Sequence, residues 1–114
     1  MAEFETSTQG SVHILSIAGR IEPDEWKTLK ELLDKETGRE VPCVVVDLSK
    51  LTFIASSGFR ELFLAGKKVG RSKGGAMVLC GLQGEAKRLF DLAGIAEAFP
   101  LFDTREEAIR HLTE

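Results

Sequence analysis

The chain has 114 residues, 43% of them hydrophobic and 29% charged, with a formal net charge of −3. That length suits one domain around one modest core, and the acidic balance excludes the basic surface on which nucleic-acid binding normally depends. Met1 to Glu5 lacks the basic and apolar regions of a signal peptide, and no apolar run nears the roughly 20 residues of a bilayer span, so a soluble cytoplasmic protein without membrane insertion is expected.

In chain order, Phe4 to Gln9 alternates apolar or β-prone residues with polar ones, Gly10-Ser11 turns, and Val12 to Ala18 returns, a hairpin pattern. Gly19 to Glu22 leaves the second strand. Pro23 then takes a first helical position, with Asp24 and Glu25 favouring the positive helix start. Trp26, Leu29, Leu32 and Leu33 form an apolar stripe assigned to the core, and Gly38 ends the helix. Val41 to Leu48 is a near-continuous apolar run, as in a strand covered on both faces, and Ser49 to Ala55 reads as a short connector.

A second helix opens near Ser56 and runs to Gly70, with Phe59, Leu62, Phe63, Gly66 and Val69 inward and Lys67, Lys68 and Arg71 at its negative end. A short strand, Ala76 to Cys80, follows Gly74-Gly75. Glu85 to Ala93 forms a third helix stopped by Gly94, and Phe99 to Phe102 a last strand. Thr104 to Glu107 fits a capping box for a terminal helix. Cys43 and Cys80 lie in strand-like runs and read as buried thiols, with neither a disulfide nor a metal site. The order implies a mixed sheet with helices mostly on one face and later strands parallel through right-handed crossovers.

The serine pair Ser56-Ser57 before Gly58 carries the functional question. Serine at a helix start is a preferred N-cap, worth roughly 1 kcal/mol. It is also where a phosphate, roughly −1.5 to −2 in charge at pH 7, is held by the helix dipole and free amides. Counting by three and four from Ser56 gives Arg60, Leu64, Lys67 or Lys68, and Arg71, a face opposite the apolar stripe. Arg60 can approach a phosphate on Ser56, and Leu64 offers a partner an apolar anchor.

Five pieces occur in order: Gly19-Arg20-Ile21-Glu22, Val44-Val45-Val46-Asp47-Leu48-Ser49, Phe53-Ile54-Ala55-Ser56-Ser57-Gly58, Gly74-Gly75-Ala76-Met77-Val78-Leu79, and Lys87-Arg88-Leu89-Phe90-Asp91-Leu92-Ala93-Gly94-Ile95. With them the chain resembles the anti-sigma factor antagonists of the STAS domain family over essentially its whole length. The resemblance implies a single α/β STAS-like domain at residues 1–114, with a mixed four- to five-stranded sheet and about four α-helices packed mainly on one face. It implies a bacterial regulatory module with no catalytic activity and no cofactor. Its partner would be an anti-sigma factor that is also a serine kinase, which phosphorylates the first hydroxyl residue of Asp-Ser-Ser-Gly or Asp-Ser-Thr-Gly and so breaks the complex. A serine phosphatase acting on the phosphorylated form restores it. Carried over, the acceptor is Ser56, with Ser57 second, and the partner-binding residues are Ala55, Ser56, Ser57, Gly58, Arg60 and Leu64.

Two positions depart from the family pattern: Ala55 stands where it has aspartate, and Phe59-Arg60 where Leu-Gly is common. A second reading therefore stays open, a non-phosphorylated STAS scaffold or a soluble accessory subunit of a transporter. Monomer and weak dimer are both left open. A serine hydrolase needs a base beside the nucleophile and a group orienting that base, but only His13 and His111 are available and Gly-x-Ser-x-Gly is absent. Asp47 is a candidate support for the Ser56 loop or an ordinary strand-end turn residue. The glycine-rich turns Gly70 to Gly74 and Gly81 to Gly84 do not fit a phosphate-binding loop.

Overall fold

In the computed structural model, which describes residues 1–114, the chain opens with the antiparallel hairpin β1 (Ala2–Gln9) and β2 (Val12–Ile21). A 3-10 turn at Pro23–Glu25 leads into α1 (Trp26–Thr37). Then follow β3 (Cys43–Ile54), α2 (Ser56–Gly70), β4 (Ala76–Cys80), α3 (Gly84–Leu92), the one-turn α4 (Ile95–Ala98), β5 (Leu101–Phe102) and α5 (Arg105–Thr113). The sheet has five strands in the order β1-β2-β3-β4-β5, and every pair after the hairpin is parallel. The expected mixed sheet is therefore present with five strands.

Alternation along the strands builds two cores. Leu15, Ile17, Val44, Val46, Leu48, Met77 and Leu79 face α1, α2 and α3 in a cluster of 20 buried residues. Val12, Ile14, Val45, Val78 and Cys80 face the other way, where only α5 covers them through Ala108 and Ile109. Val44, Val45 and Val46 are thus all apolar because both faces of β3 are covered there.

β3 differs from its expected bounds. Ser49 to Ile54 is strand, because Leu51 and Ile54 are buried and this half pairs with Ala18 to Ile21 of β2 across two register shifts. The Thr52 hydroxyl donates to the Gly19 carbonyl at 3.0 Å. Polar Ser49 and Lys50 resemble a strand end only because the sheet face beyond α5 is open. Gly19 to Ile21 likewise stays within β2. Trp26 is not core: it begins α1 at the end of the 3-10 turn and is 39% exposed, while Leu29 and Leu33 carry the burial. No helix is long and apolar enough to cross a membrane.

Candidate functional site

Ala55 leaves β3 in extended conformation and its amide donates to the Ile21 carbonyl at 2.9 Å, tying the start of α2 to the end of β2. Its own carbonyl accepts from the amides of Gly58, at 2.9 Å, and Phe59, at 3.2 Å. Ala55 is therefore the N-cap, with no side-chain oxygen to offer, and Ser56 and Ser57 are the first two helical residues. This corrects the capping assignment: neither serine caps the helix, because the helix begins one residue too early. Ser57 instead donates its hydroxyl to the Pro23 carbonyl at 3.1 Å, joining α2 to the 3-10 turn. Ser56 is exposed, and its hydroxyl makes no hydrogen bond within the protein.

The helix start is electrostatically open. No acidic residue lies in the first turn of α2, and the amides of its first residues have no intrahelical acceptor. The predicted solvent face is present, with Ser56, Arg60, Leu64, Lys67, Lys68 and Arg71 all exposed and Leu64 at 46%. The opposite face packs, Phe59 against Phe90 at 4.7 Å between ring centroids and Leu62 and Val69 within the core. Of the six residues expected to meet a partner, Ser56, Arg60 and Leu64 are exposed and Ser57 is half-buried. Ala55 and Gly58 are buried. Gly58 admits the Ile54 and Ile21 side chains, where a Cβ would lie 2.8 and 3.1 Å from their nearest atoms.

Sequence reading overlooked two residues near this face. One is Trp26, exposed one turn beyond the Pro23 that holds Ser57. The other is Glu61, 7% exposed although charged. Its signal was available: it falls on the inward stripe of Gly58, Ala65 and Val69, where a carboxylate is out of place.

The remaining candidates lie elsewhere. Asp47 faces α5, where it accepts from Arg105 at 2.8 Å and from the Ser49 amide at 3.0 Å, so it gives the Ser56 loop no support. Burial pushes its carboxyl up, but the Ser49 amide and hydroxyl and the Arg105 guanidinium outweigh this and hold it below the ordinary range. His13 lies 3.4 Å from Glu36 and pairs with Val44, eight residues of β2 away from the Ile21–Ile54 pair, or about 26 Å. His111 stacks near Phe102 on α5, across the sheet. Neither histidine is placed to take a proton from Ser56. Burial pushes the Cys80 thiol up to about 12, which leaves it a poor nucleophile. No group of three or more His, Cys, Asp or Glu side chains is arranged to hold a metal ion.

Comparison with known proteins places this geometry in context. The family model for the STAS domain matches residues 3–108. BtrV of Bordetella bronchiseptica, provisionally named an anti-sigma factor antagonist, is 37% identical over 65 residues, 57% of this chain and 55% of BtrV, so the match spans about half of that relative. The anti-sigma-F factor antagonist RsfB of Mycobacterium tuberculosis is 30% identical over 98 residues, 86% of this chain and 79% of RsfB. A crystal structure of an anti-sigma factor antagonist from Mycobacterium paratuberculosis shares the fold, with a TM-score of 0.85 over 100% of this chain and 96% of that one at 24% identity.

Proposed function

The chain belongs to the STAS domain family, and from that premise we propose that it is an anti-sigma factor antagonist switched by phosphorylation of Ser56. It binds an anti-sigma factor that is also a serine kinase through Ser56 and the Arg60–Leu64 face of α2. Phosphate on Ser56 ends the complex, and a serine phosphatase restores it. The observation that carries this reading is the state of the Ser56 hydroxyl: exposed, unbonded, and on the first residue of a 15-residue helix with no acid in its first turn. A phosphate there meets the positive end of the helix dipole and free amides, with Arg60 one turn on, so the fold tolerates it. Its charge and bulk then fall on whatever docks against the helix.

Ala55 favours a second reading, a non-phosphorylated scaffold or transporter accessory, because alanine offers no carboxylate to orient the acceptor hydroxyl. Incubation with the candidate kinase and ATP, with phosphate mapped by mass spectrometry, separates the two. Phosphate on Ser56 and loss of binding in Ser56→Glu are the expected results. An unmodified Ser56, together with tight binding by Ser56→Glu, would overturn the switch.

A further inference from the structure

Between α1 and α2 runs a groove of about 190 Å³ lined by Lys30, Leu33 and Asp34 on one side and Glu61, Leu64 and Lys68 on the other. Glu61 is 7% exposed, enters none of the ion pairs and accepts no hydrogen bond from the protein. No fully buried side-chain oxygen in the molecule lacks a partner, so the little of Glu61 that stays accessible includes its carboxylate oxygens at the groove. Lys30, the nearest cation on α1, is already held by Asp34 at 2.6 Å. Folding has therefore stripped much of the water from Glu61 and left its carboxylate with no direct ion pair or hydrogen bond, only the through-space field of the Asp34-bound Lys30.

We infer that Glu61 is a receptor for an arginine side chain of the protein partner, which enters the α1–α2 groove as the partner docks. The identity of that partner rests on the antagonist reading; the receptor rests on the groove. An exposed lysine such as Lys68 is well hydrated and gives up that water when it pairs. Glu61 has already lost most of its own, so pairing there removes little further water. A guanidinium fits better than an ammonium, being planar, weakly hydrated and able to bond both carboxylate oxygens.

The apolar surroundings match an arginine stem. Leu64, 46% exposed, lines the groove, and Trp26, 39% exposed, heads the Trp26–Lys30–Asp34 stripe of α1. A buried charge beside an exposed leucine, with an exposed tryptophan one turn before Lys30 on α1, has the composition of an interface centre. The groove also continues the Ser56 surface, since Ser57, Glu61, Leu64 and Lys68 follow one another at spacings of four, three and four along α2.

The test compares Glu61→Gln and Glu61→Arg with the wild-type protein in calorimetric titrations against the purified anti-sigma factor kinase. Expected are a loss of about tenfold or more in affinity for Glu61→Gln and no measurable binding for Glu61→Arg. Glu61→Gln should at the same time keep or raise the thermal midpoint, because an unpaired buried carboxylate stabilises nothing. Opposite signs for binding and stability mark a docking residue; a structural one loses both. Wild-type binding with both variants within about twofold of it overturns the groove inference and leaves the antagonist reading standing. If the wild type does not bind, that reading falls, and the groove is then judged by an NMR titration with N-acetylarginine amide. Shifts confined to Glu61 and Leu64 and absent in Glu61→Gln support the receptor, and their absence from the wild type overturns it.

Discussion

Gly58 and Asp47 show two ways in which a single residue holds the fold: Gly58 seats α2 against Ile54 and Ile21, and Asp47 ties β3 to α5 through Arg105. An alanine at Gly58 would press on Ile54 and Ile21, both held in the core, so neither can swing clear. Alanine gains about 1 kcal/mol of helix propensity, against an overpacking cost of about 1–3 kcal/mol. Gly58→Ala should therefore lower the urea midpoint modestly with an unchanged slope; a raised midpoint would show that α2 can lift off the sheet freely. Asp47 gives a pH dependence with a definite sign. Its carboxyl titrates below its unfolded value near 3.9, so its contribution is complete above that value and disappears as the pH falls through the lowered one. Asp47→Asn should be less stable than the wild type by about 1–3 kcal/mol at pH 7 and should lose less stability below about pH 4. Matching acid slopes for the two proteins would remove Asp47 as the cause.

At the scale of elements, α4 and α5 hold the far end of the sheet. The single turn of α4 buries Ile95 and carries Phe99 onto α2, where a Cβ on Gly66 would stand 2.6 Å from the ring. α5 is capped by Thr104, whose hydroxyl accepts from the Glu107 amide at 3.1 Å, and it alone covers the second core. Thr104→Ala should cost about 1 kcal/mol, seen as a lower denaturation midpoint and faster amide exchange in the first turn of α5. Exchange confined to other elements would contradict that placement. α1, α2 and the strand they cover were legible in the sequence, because Leu29/Leu33 and Leu62/Val69 recur at helical spacing and Val44–Leu48 is a near-continuous apolar run. What escaped was set by tertiary context. The second half of β3 is polar where the sheet lies open, Trp26 is exposed by the turn before it, and the single-turn α4 is too short to show a period. The exposed face of the candidate site was legible, since Ser56, Arg60 and Leu64 fall together at helical spacing. The capping role failed because one residue of helix phase decides it, and Glu61 was hidden because its neighbours on the stripe are apolar.

Over the whole molecule, the two faces of α2 separate stability from recognition. The main core lies under α1, α2 and α3, yet the Ser56 hydroxyl, Arg60 and the Leu64 side chain project from the outer side of α2 and contribute little to it. Ser56 has no internal hydrogen bond to lose, and a negative charge at its position meets an unopposed helix dipole. Ser56→Glu should accordingly keep a thermal midpoint within a few degrees of wild type, with any change of about 1 kcal/mol or less and on the stabilising side. Leu64→Asp should lower stability by no more than about 1 kcal/mol, since a residue already 46% exposed forfeits only part of a leucine's burial. Both variants should nevertheless weaken the anti-sigma factor complex by about tenfold or more. Differential scanning calorimetry paired with the binding titration reads the two quantities on one sample. A fall in thermal midpoint that tracks the fall in affinity would mean that the switch acts by loosening the fold. Midpoints within a few degrees of wild type, with lost affinity, would place it on the surface, where a kinase can reach the hydroxyl without unfolding the helix that presents it.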